Sequence, residues 1–160
     1  MDRVLFTSNT DHWATPSDIY KVMKELGYFD PCPFMCSVDM LSQPWEEDCY
    51  INPPYSKVKV WIDEILDRFS KGSLRSVFLL VPARTDTKWF RKLIDSPFLG
   101  GVFFITGRLH FNDSDQSAPF PSVFFYLCRD RYFYPDFYWY DKDGFLKLLN
   151  ERILSYGQIE

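Results

Sequence analysis

The chain has 160 residues, a formal net charge of −4 and a hydrophobic fraction of 46%. Its length predicts a single domain over residues 1–160 that is large enough for a hydrophobic core. The acidic balance argues against a tight, non-specific nucleic-acid binder, although it leaves room for a local basic patch. No apolar run reaches the roughly 18 residues of a membrane span, and no signal peptide is visible. We therefore expect a cytoplasmic protein with no membrane partner.

The first predicted helix follows the segment TPSD. Thr15 would supply a capping hydroxyl and Pro16 would take the first helical position. Apolar residues at helical spacing continue from Ile19 to Leu26, and Gly27 ends the helix. The next segment, YFDPC, predicts a brief strand that presents Asp30 at its carboxyl end.

Helices and strands continue to alternate after a loop at residues 33–46. The strand DCYIN is closed by a double proline, and apolar spacing predicts a helix over residues 57–70. The apolar run SVFLLVP is typical of a strand buried on both faces of a parallel sheet. The remaining segments are a short helix DTKWFRKLI, the strands GVFFIT and SVFFYLC, an aromatic segment FYWY, and a last helix from about Gly144 to Leu154.

Strands separated by helices indicate an α/β fold with right-handed crossovers and a mainly parallel central sheet. Ligands of such sheets bind beyond the carboxyl ends of the strands. Asp30, Asn52 and Arg84 each follow a predicted strand, so we expect them to meet at one edge of the sheet.

The segment Asn52-Pro53-Pro54-Tyr55 is unusual for a plain turn. Each proline holds φ at about −65° and lacks an N–H, so the backbone is stiff and its carbonyls point outward. A rigid carbonyl and the Asn52 amide oxygen could accept both hydrogens of an exocyclic amine, while the attached base stacks on Tyr55. The alternative from these residues alone is a strand-to-helix turn in which Tyr55 happens to be exposed.

Together with NPPY, several segments resemble the phage-type DNA N6-adenine methyltransferases in identity and order. They are WATP at 13–16, FDPCP at 29–33, DML at 39–41 followed by Trp45, VPARTDTKWF at 81–90, GRLHF at 107–111 and APFPS at 118–122. The resemblance implies a compact Rossmann-like methyltransferase fold that uses S-adenosylmethionine as the methyl donor. It also implies DNA as the partner, with the target adenine flipped out of the duplex.

The resemblance assigns a role to each matching residue. Asn52 Oδ1 and the Pro53 carbonyl would accept from the adenine amine, and Tyr55 would stack on the ring. The catalytic set is Asn52, Pro53, Pro54 and Tyr55. The donor-binding set is Trp13, Thr15, Pro16, Asp30, Pro31, Cys32 and Asp39. The DNA-binding set is Arg84, Thr85 and Arg108, the last with the adjoining loop NDSDQSA.

Several of these residues also have simpler interpretations. Asp30 could be a buried structural carboxylate, Asp39 a solvated loop residue, and Arg84 one half of a structural ion pair. The chain also departs from most methyltransferases, because DPCPF replaces a glycine-rich turn. Only residues 31–51 separate Asp30 from Asn52, which leaves little chain for a donor pocket.

The same motifs leave other functions open. One alternative is methylation of N4 of cytosine, or of RNA, through the same pocket. Another is a degenerate methyltransferase fold that binds nucleic acid or a host protein. We predict no metal, although the spacing of Cys32 and Cys36, with His12 or His110, would allow one. The resemblance further suggests a phage or mobile-element origin and the cytoplasm of a host cell. The oligomeric state stays open.

Overall fold

The computed structural model describes residues 13–34, 39–130 and 134–156. Four helices and five strands lie within these ranges, together with single turns of 3₁₀ helix at Tyr55–Lys57 and Phe111–Asp113. In chain order the elements are α1 Ser17–Glu25, β1 Asp48–Ile51, α2 Val58–Ser70, β2 Ser76–Pro82, α3 Lys88–Ile94, β3 Leu99–Ile105, β4 Ser122–Cys128, β5 Asp136–Tyr140 and α4 Lys142–Tyr156. Across these ranges, every helix is too short or too polar to cross a bilayer.

The sheet is mixed, which corrects the expectation of a mainly parallel one. Its strand order is β1-β2-β4-β3-β5, and the pairs β1–β2 and β3–β5 are parallel. Strand β4 lies between β2 and β3 and runs antiparallel to both. The reason is the connection at residues 106–121, which contains one turn of 3₁₀ helix and no crossover helix. Parallel neighbours need such a crossover, and β1 and β2 have one in α2.

Two local expectations also change. The predicted strand at residues 28–32 is reduced to one parallel bridge between Phe29 and Cys49, because Pro31 has no N–H to continue the ladder. Helix α1 begins at Ser17 with Pro16 as its N-cap, and the backbone N–H of Ser17 donates to the carboxylate of the distant Asp113 at 3.0 Å. The Thr15 hydroxyl bonds instead to the hydroxyl of Tyr50.

Side chains that alternate along the strands build a core on each face of the sheet. One face carries Ile51, Leu79 and Phe125 and packs against α2 and α3, while the other face packs against α1 and α4. Since β1, β2 and β3 point the same way, their carboxyl ends share one edge with the amino end of β4. We call this the carboxyl edge. Asn52, Arg84 and Arg108 lie on it, each within a few residues of a strand end.

Helix α4 is anchored to the sheet by Phe145, whose side chain is fully buried and whose ring centroid lies 4.5 Å from that of Phe124. We expect Phe145→Ala to lower the free energy of unfolding by about 3–5 kcal/mol in urea denaturation, because a large cavity replaces the ring. Lys147→Ala, on the exposed side of the same helix, should change it by less than about 0.5 kcal/mol. Equal effects of the two substitutions would contradict this packing.

Candidate functional site at the carboxyl edge of the sheet

A cavity of about 350 Å³ opens at the carboxyl edge between α1 and the segment that follows Phe29. We call it the first cavity. Four residues predicted from the sequence line it, namely Thr15, Asp30, Cys32 and Asn52. The rest of its lining is Ala14, Ser17, Tyr20, Pro33 and Phe34. The structure thus brings three of the predicted donor-binding residues and one predicted catalytic residue to one place, although they come from three separate parts of the chain.

Asn52 is the polar residue on which the site is centred. It is 4% exposed, and its Nδ2 donates to the carbonyl of Trp13 and, at 3.2 Å, to Thr15 Oγ1. A carbonyl can only accept, so this contact determines which end of the amide faces Trp13. Asn52 Oδ1 is buried and has no hydrogen-bond partner among the described residues. An unpaired buried acceptor costs about 1–3 kcal/mol, so it indicates a group that a ligand completes.

The two prolines carry the chain from β1 into a turn of 3₁₀ helix. The Pro54 carbonyl accepts from the backbone N–H of Lys57 at 2.9 Å. It is therefore engaged within the turn, and the preceding carbonyl of Pro53 is the one that the sequence analysis singled out as an acceptor. Pro53 is buried beside Asn52, which keeps this part of the backbone close to the amide.

Tyr55 packs its ring against two aromatic residues that the sequence analysis missed. Its centroid lies 6.2 Å from that of Phe111 and 5.3 Å from that of Phe120, with nearly perpendicular planes. Both residues occur in the quoted segments GRLHF and APFPS, which was the available signal. The Tyr55 hydroxyl is buried without a partner among the described residues, and burial raises the pKa of Tyr55 well above its ordinary value. A third such group, the Ser122 hydroxyl, begins β4 at the same edge.

Asp30 is a half-buried carboxylate on the wall of the first cavity. One of its oxygens accepts from the backbone N–H of Cys32 at 2.8 Å, and it forms no ion pair with any cation of the described residues. Burial raises the pKa of Asp30 to about 6, against smaller lowering effects of the Cys32 N–H and of Lys24. A carboxylate in this environment is stabilised by a positively charged ligand.

Three other predicted donor-binding residues, Trp13, Pro16 and Pro31, lie next to the first cavity without lining it. Trp13 contributes its carbonyl to Asn52, and its ring packs edge-on against Phe111 and Phe120. Pro16 and Pro31 are buried next to residues of the cavity wall. Asp39 differs from them, because it is exposed and its carboxylate accepts from the backbone N–H of Leu41 at 3.2 Å. The structure supports the loop interpretation of Asp39 and does not bring it to the cavity lining.

A second cavity, of about 360 Å³, lies beside Tyr55. Arg84 reaches it from the end of β2, and its lining also contains Ser56, Val58, Pro82, Thr87 and Trp89. Arg84 is exposed and forms no ion pair with an acid of the described residues, which removes support for a structural ion pair. Thr85 and Arg108 are also exposed at the carboxyl edge.

The metal alternative falls partly outside the described residues, because Cys36 and His12 are not among them. Within residues 13–34, 39–130 and 134–156, no group of three or more His, Cys, Asp or Glu side chains is arranged to hold a metal ion.

The raised pKa of Asp30 has a consequence for stability. The ionised carboxylate lowers the free energy of unfolding at neutral pH by up to about 3 kcal/mol, and this loss disappears as the pH falls through about 6 toward the ordinary value. We therefore expect Asp30→Asn to be more stable than the wild type at about pH 7.5 and to keep only about a third of this gain at about pH 4.5. Thermal unfolding at both pH values measures the difference. Asp115→Asn, on an exposed loop, is the control, and a gain independent of pH would contradict the burial of Asp30.

Comparison with known proteins identifies a family for this chain. The sequence model of the DNA N-6-adenine-methyltransferase (Dam) family matches residues 4–123, which include the first cavity, the NPPY segment, Arg84, Arg108 and the start of β4. A comparison with curated proteins gives no match. Because the match covers most of the chain, the protein belongs to the DNA N-6-adenine-methyltransferase family.

Proposed function

We propose that this protein transfers the methyl group of S-adenosylmethionine to the N6 amine of adenine in DNA. The observation that carries the proposal is the buried, unpartnered Oδ1 of Asn52, a residue that lines the first cavity. Trp13 and Thr15 occupy the other end of the amide, so Oδ1 can act only as an acceptor toward a ligand. An exocyclic amine, which carries two N–H groups, is a matching donor.

The residues of the first cavity fit S-adenosylmethionine. This molecule carries a sulfonium and an ammonium group, and the buried carboxylate of Asp30 lacks a cationic partner among the described residues. Thr15, Asp30 and Cys32 would hold it, with Trp13, Pro16 and Pro31 supporting the wall behind them. When bound, the donor supplies an electrophilic methyl group. The positive charge of the donor would also reduce the energetic cost of burying the ionised Asp30 carboxylate. Donor binding would therefore stabilise the fold.

At the amine, the chain's own groups orient the nucleophile. Asn52 Oδ1 and the Pro53 carbonyl accept the two N–H groups, which directs the nitrogen lone pair away from both oxygens and toward the donor. The same oxygens would stabilise the positive charge that develops on nitrogen as the N–C bond forms and the bond between the methyl group and the donor's sulfur breaks. The methylated nitrogen would then lose one proton to solvent. The Tyr55 ring would stack on the flipped base, and its phenol stays neutral because burial raises its pKa.

A basic face at the carboxyl edge would let a chain with a net negative charge bind DNA. Five exposed cations follow the carboxyl ends of β1, β2 and β3 by at most eight residues, and none of them forms an ion pair with an acid of the described residues. They are Lys57, Lys59, Arg84, Lys88 and Arg108. Lysine and arginine side chains bind phosphate oxygens. Some of the acidic side chains of the protein form ion pairs elsewhere, such as that of Asp67 with Lys71.

The amine chemistry alone does not separate adenine N6 from cytosine N4, or DNA from RNA. Family membership favours adenine in DNA. The resemblance to phage enzymes extends the proposal to a phage or mobile-element protein in the cytoplasm of a host cell, where methylation would shield DNA from restriction. A binding module without catalysis is disfavoured, because such a protein would have no use for an unpaired acceptor beside the cavity.

Asn52→Ala removes the acceptor and tests the proposed catalysis. We expect methyl transfer to DNA to fall by about 10²–10³-fold, as for other losses of one stabilising group in a transition state. The thermal unfolding transition should remain cooperative, because the substitution removes an unpaired buried atom along with two hydrogen bonds. Asn150→Ala, exposed on α4, is the control. Unchanged methyl transfer in Asn52→Ala would overturn the catalytic assignment, and a wild type that binds DNA without methyl transfer would favour the binding module.

The basic face predicts a specific dependence on salt. Arg84→Ala should weaken duplex DNA binding, and the slope of log affinity against log salt should fall by about 1, because one phosphate contact is lost. Lys71→Ala is the matched control, since Lys71 lies at the far end of α2 and is paired with Asp67 at 2.6 Å. Fluorescence anisotropy with a labelled duplex at several salt concentrations measures both slopes. Equal slopes for Arg84→Ala and the wild type would contradict a phosphate contact.

A further inference from the structure

Tyr50 is a buried tyrosine of β1 with no role in the functions described so far. It lies near the end of β1, two residues before Asn52, and is 1% exposed. Its hydroxyl lies 2.8 Å from Thr15 Oγ1, and Thr15 Oγ1 lies 3.2 Å from Asn52 Nδ2. One threonine hydroxyl therefore joins the buried phenol to the amide at the centre of the site.

The donor and acceptor of each hydrogen bond among Tyr50, Thr15 and Asn52 follow from the protons that these groups carry. Burial raises the pKa of Tyr50 far above its ordinary value, so the phenol keeps its proton. Thr15 is the partner of this phenol within the described residues, and a buried donor left unpaired costs stability. Tyr50 therefore donates to Thr15, and Asn52 Nδ2 donates to the same oxygen. Both acceptor positions of Thr15 Oγ1 are then filled, and its own proton is left to point elsewhere.

We propose that Tyr50 is a positioning residue for the reaction, an inference that rests on the proposed function. By donating to Thr15, the phenol holds Thr15 Oγ1 as an acceptor at a fixed place. That oxygen, with the Trp13 carbonyl, keeps Asn52 Nδ2 turned toward the segment before α1 and leaves the buried Oδ1 without a partner among the described residues. Without the phenol, Thr15 can rotate about its side-chain bond, and the Asn52 amide loses one of its two fixed partners.

Tyr50→Phe deletes the phenol and keeps the packing of the ring. We expect kcat for methyl transfer to fall about tenfold, because a small displacement of a reacting group is enough for such a loss. The KM for DNA should stay within about twofold of the wild type, since the basic face is unchanged. Tyr140→Phe is the control, because Tyr140 lies on β5, the edge strand farthest from β1 in the sheet. It should leave both constants unchanged.

A double-variant cycle separates positioning from a general loss of stability. Thr15→Val should lower kcat at saturating donor, and adding Tyr50→Phe should lower it no further, because Tyr50 acts through Thr15. Multiplying effects would overturn the proposal, as would a Tyr50→Phe enzyme with wild-type kcat. If Tyr50→Phe does not fold, Thr15→Ser against Thr15→Val carries the test. Serine should preserve kcat and valine should not, and equal values would overturn the proposal.

A second readout does not depend on activity. The side-chain amide signal of Asn52 in a ¹⁵N–¹H spectrum, assigned by its loss in Asn52→Asp, should shift in Tyr50→Phe and not in Tyr140→Phe. An unshifted signal in Tyr50→Phe would overturn the positioning role even if methyl transfer occurs. Absence of methyl transfer by the wild type, with the signal shifted as expected, would instead count against the proposed function alone.

Discussion

The contact between the Asn52 amide and the segment that precedes α1 is the constraint on which the site depends. Through it, the Trp13 carbonyl and the Thr15 hydroxyl leave Asn52 Oδ1 unpaired at the cavity. The same segment is tied on its other side to Asn112, which bonds Ala14 both through its backbone N–H and through its side-chain oxygen. Asn112 has a φ of 58°, a left-handed conformation that asparagine tolerates better than most residues. A short stretch of chain thus links the end of β1 to the turn after β3.

Function and stability oppose each other at this site. Asn52 Oδ1, the Tyr55 hydroxyl and the Asp30 carboxylate are each buried without full compensation by the described residues. The proposed ligands would complete two of them, Asn52 Oδ1 and Asp30. Such groups are unfavourable for a protein that only has to fold. Their clustering at one edge is therefore better explained by binding and chemistry than by packing. The exposed cations of the same edge add the electrostatic attraction that the net charge of −4 conceals.

Much of the fold could be predicted from the sequence. The segments SVFLLVP and SVFFYLC match β2 and β4 residue for residue, because continuous apolar runs bounded by polar residues are a strong local signal. The direction of β4 was missed, because strand pairing is a long-range property. The cap assigned to Thr15 was wrong for a similar reason, since its hydroxyl partner, Tyr50, is 35 positions away. Phe111 and Phe120 pack on Tyr55 only after the fold brings them together, whereas the NPPY segment was identifiable from its stiff backbone and its resemblance.

The most direct test of the account is to identify the methylated nucleoside. Purified protein would be incubated with duplex DNA and S-adenosylmethionine carrying a deuterated methyl group, and the DNA would then be hydrolysed for mass spectrometry. The account predicts labelled N6-methyl-2′-deoxyadenosine, formed by the wild type and absent after incubation with Asn52→Ala. Label on N4 of cytosine, or no labelled nucleoside from a protein that is folded and binds the donor, would contradict it.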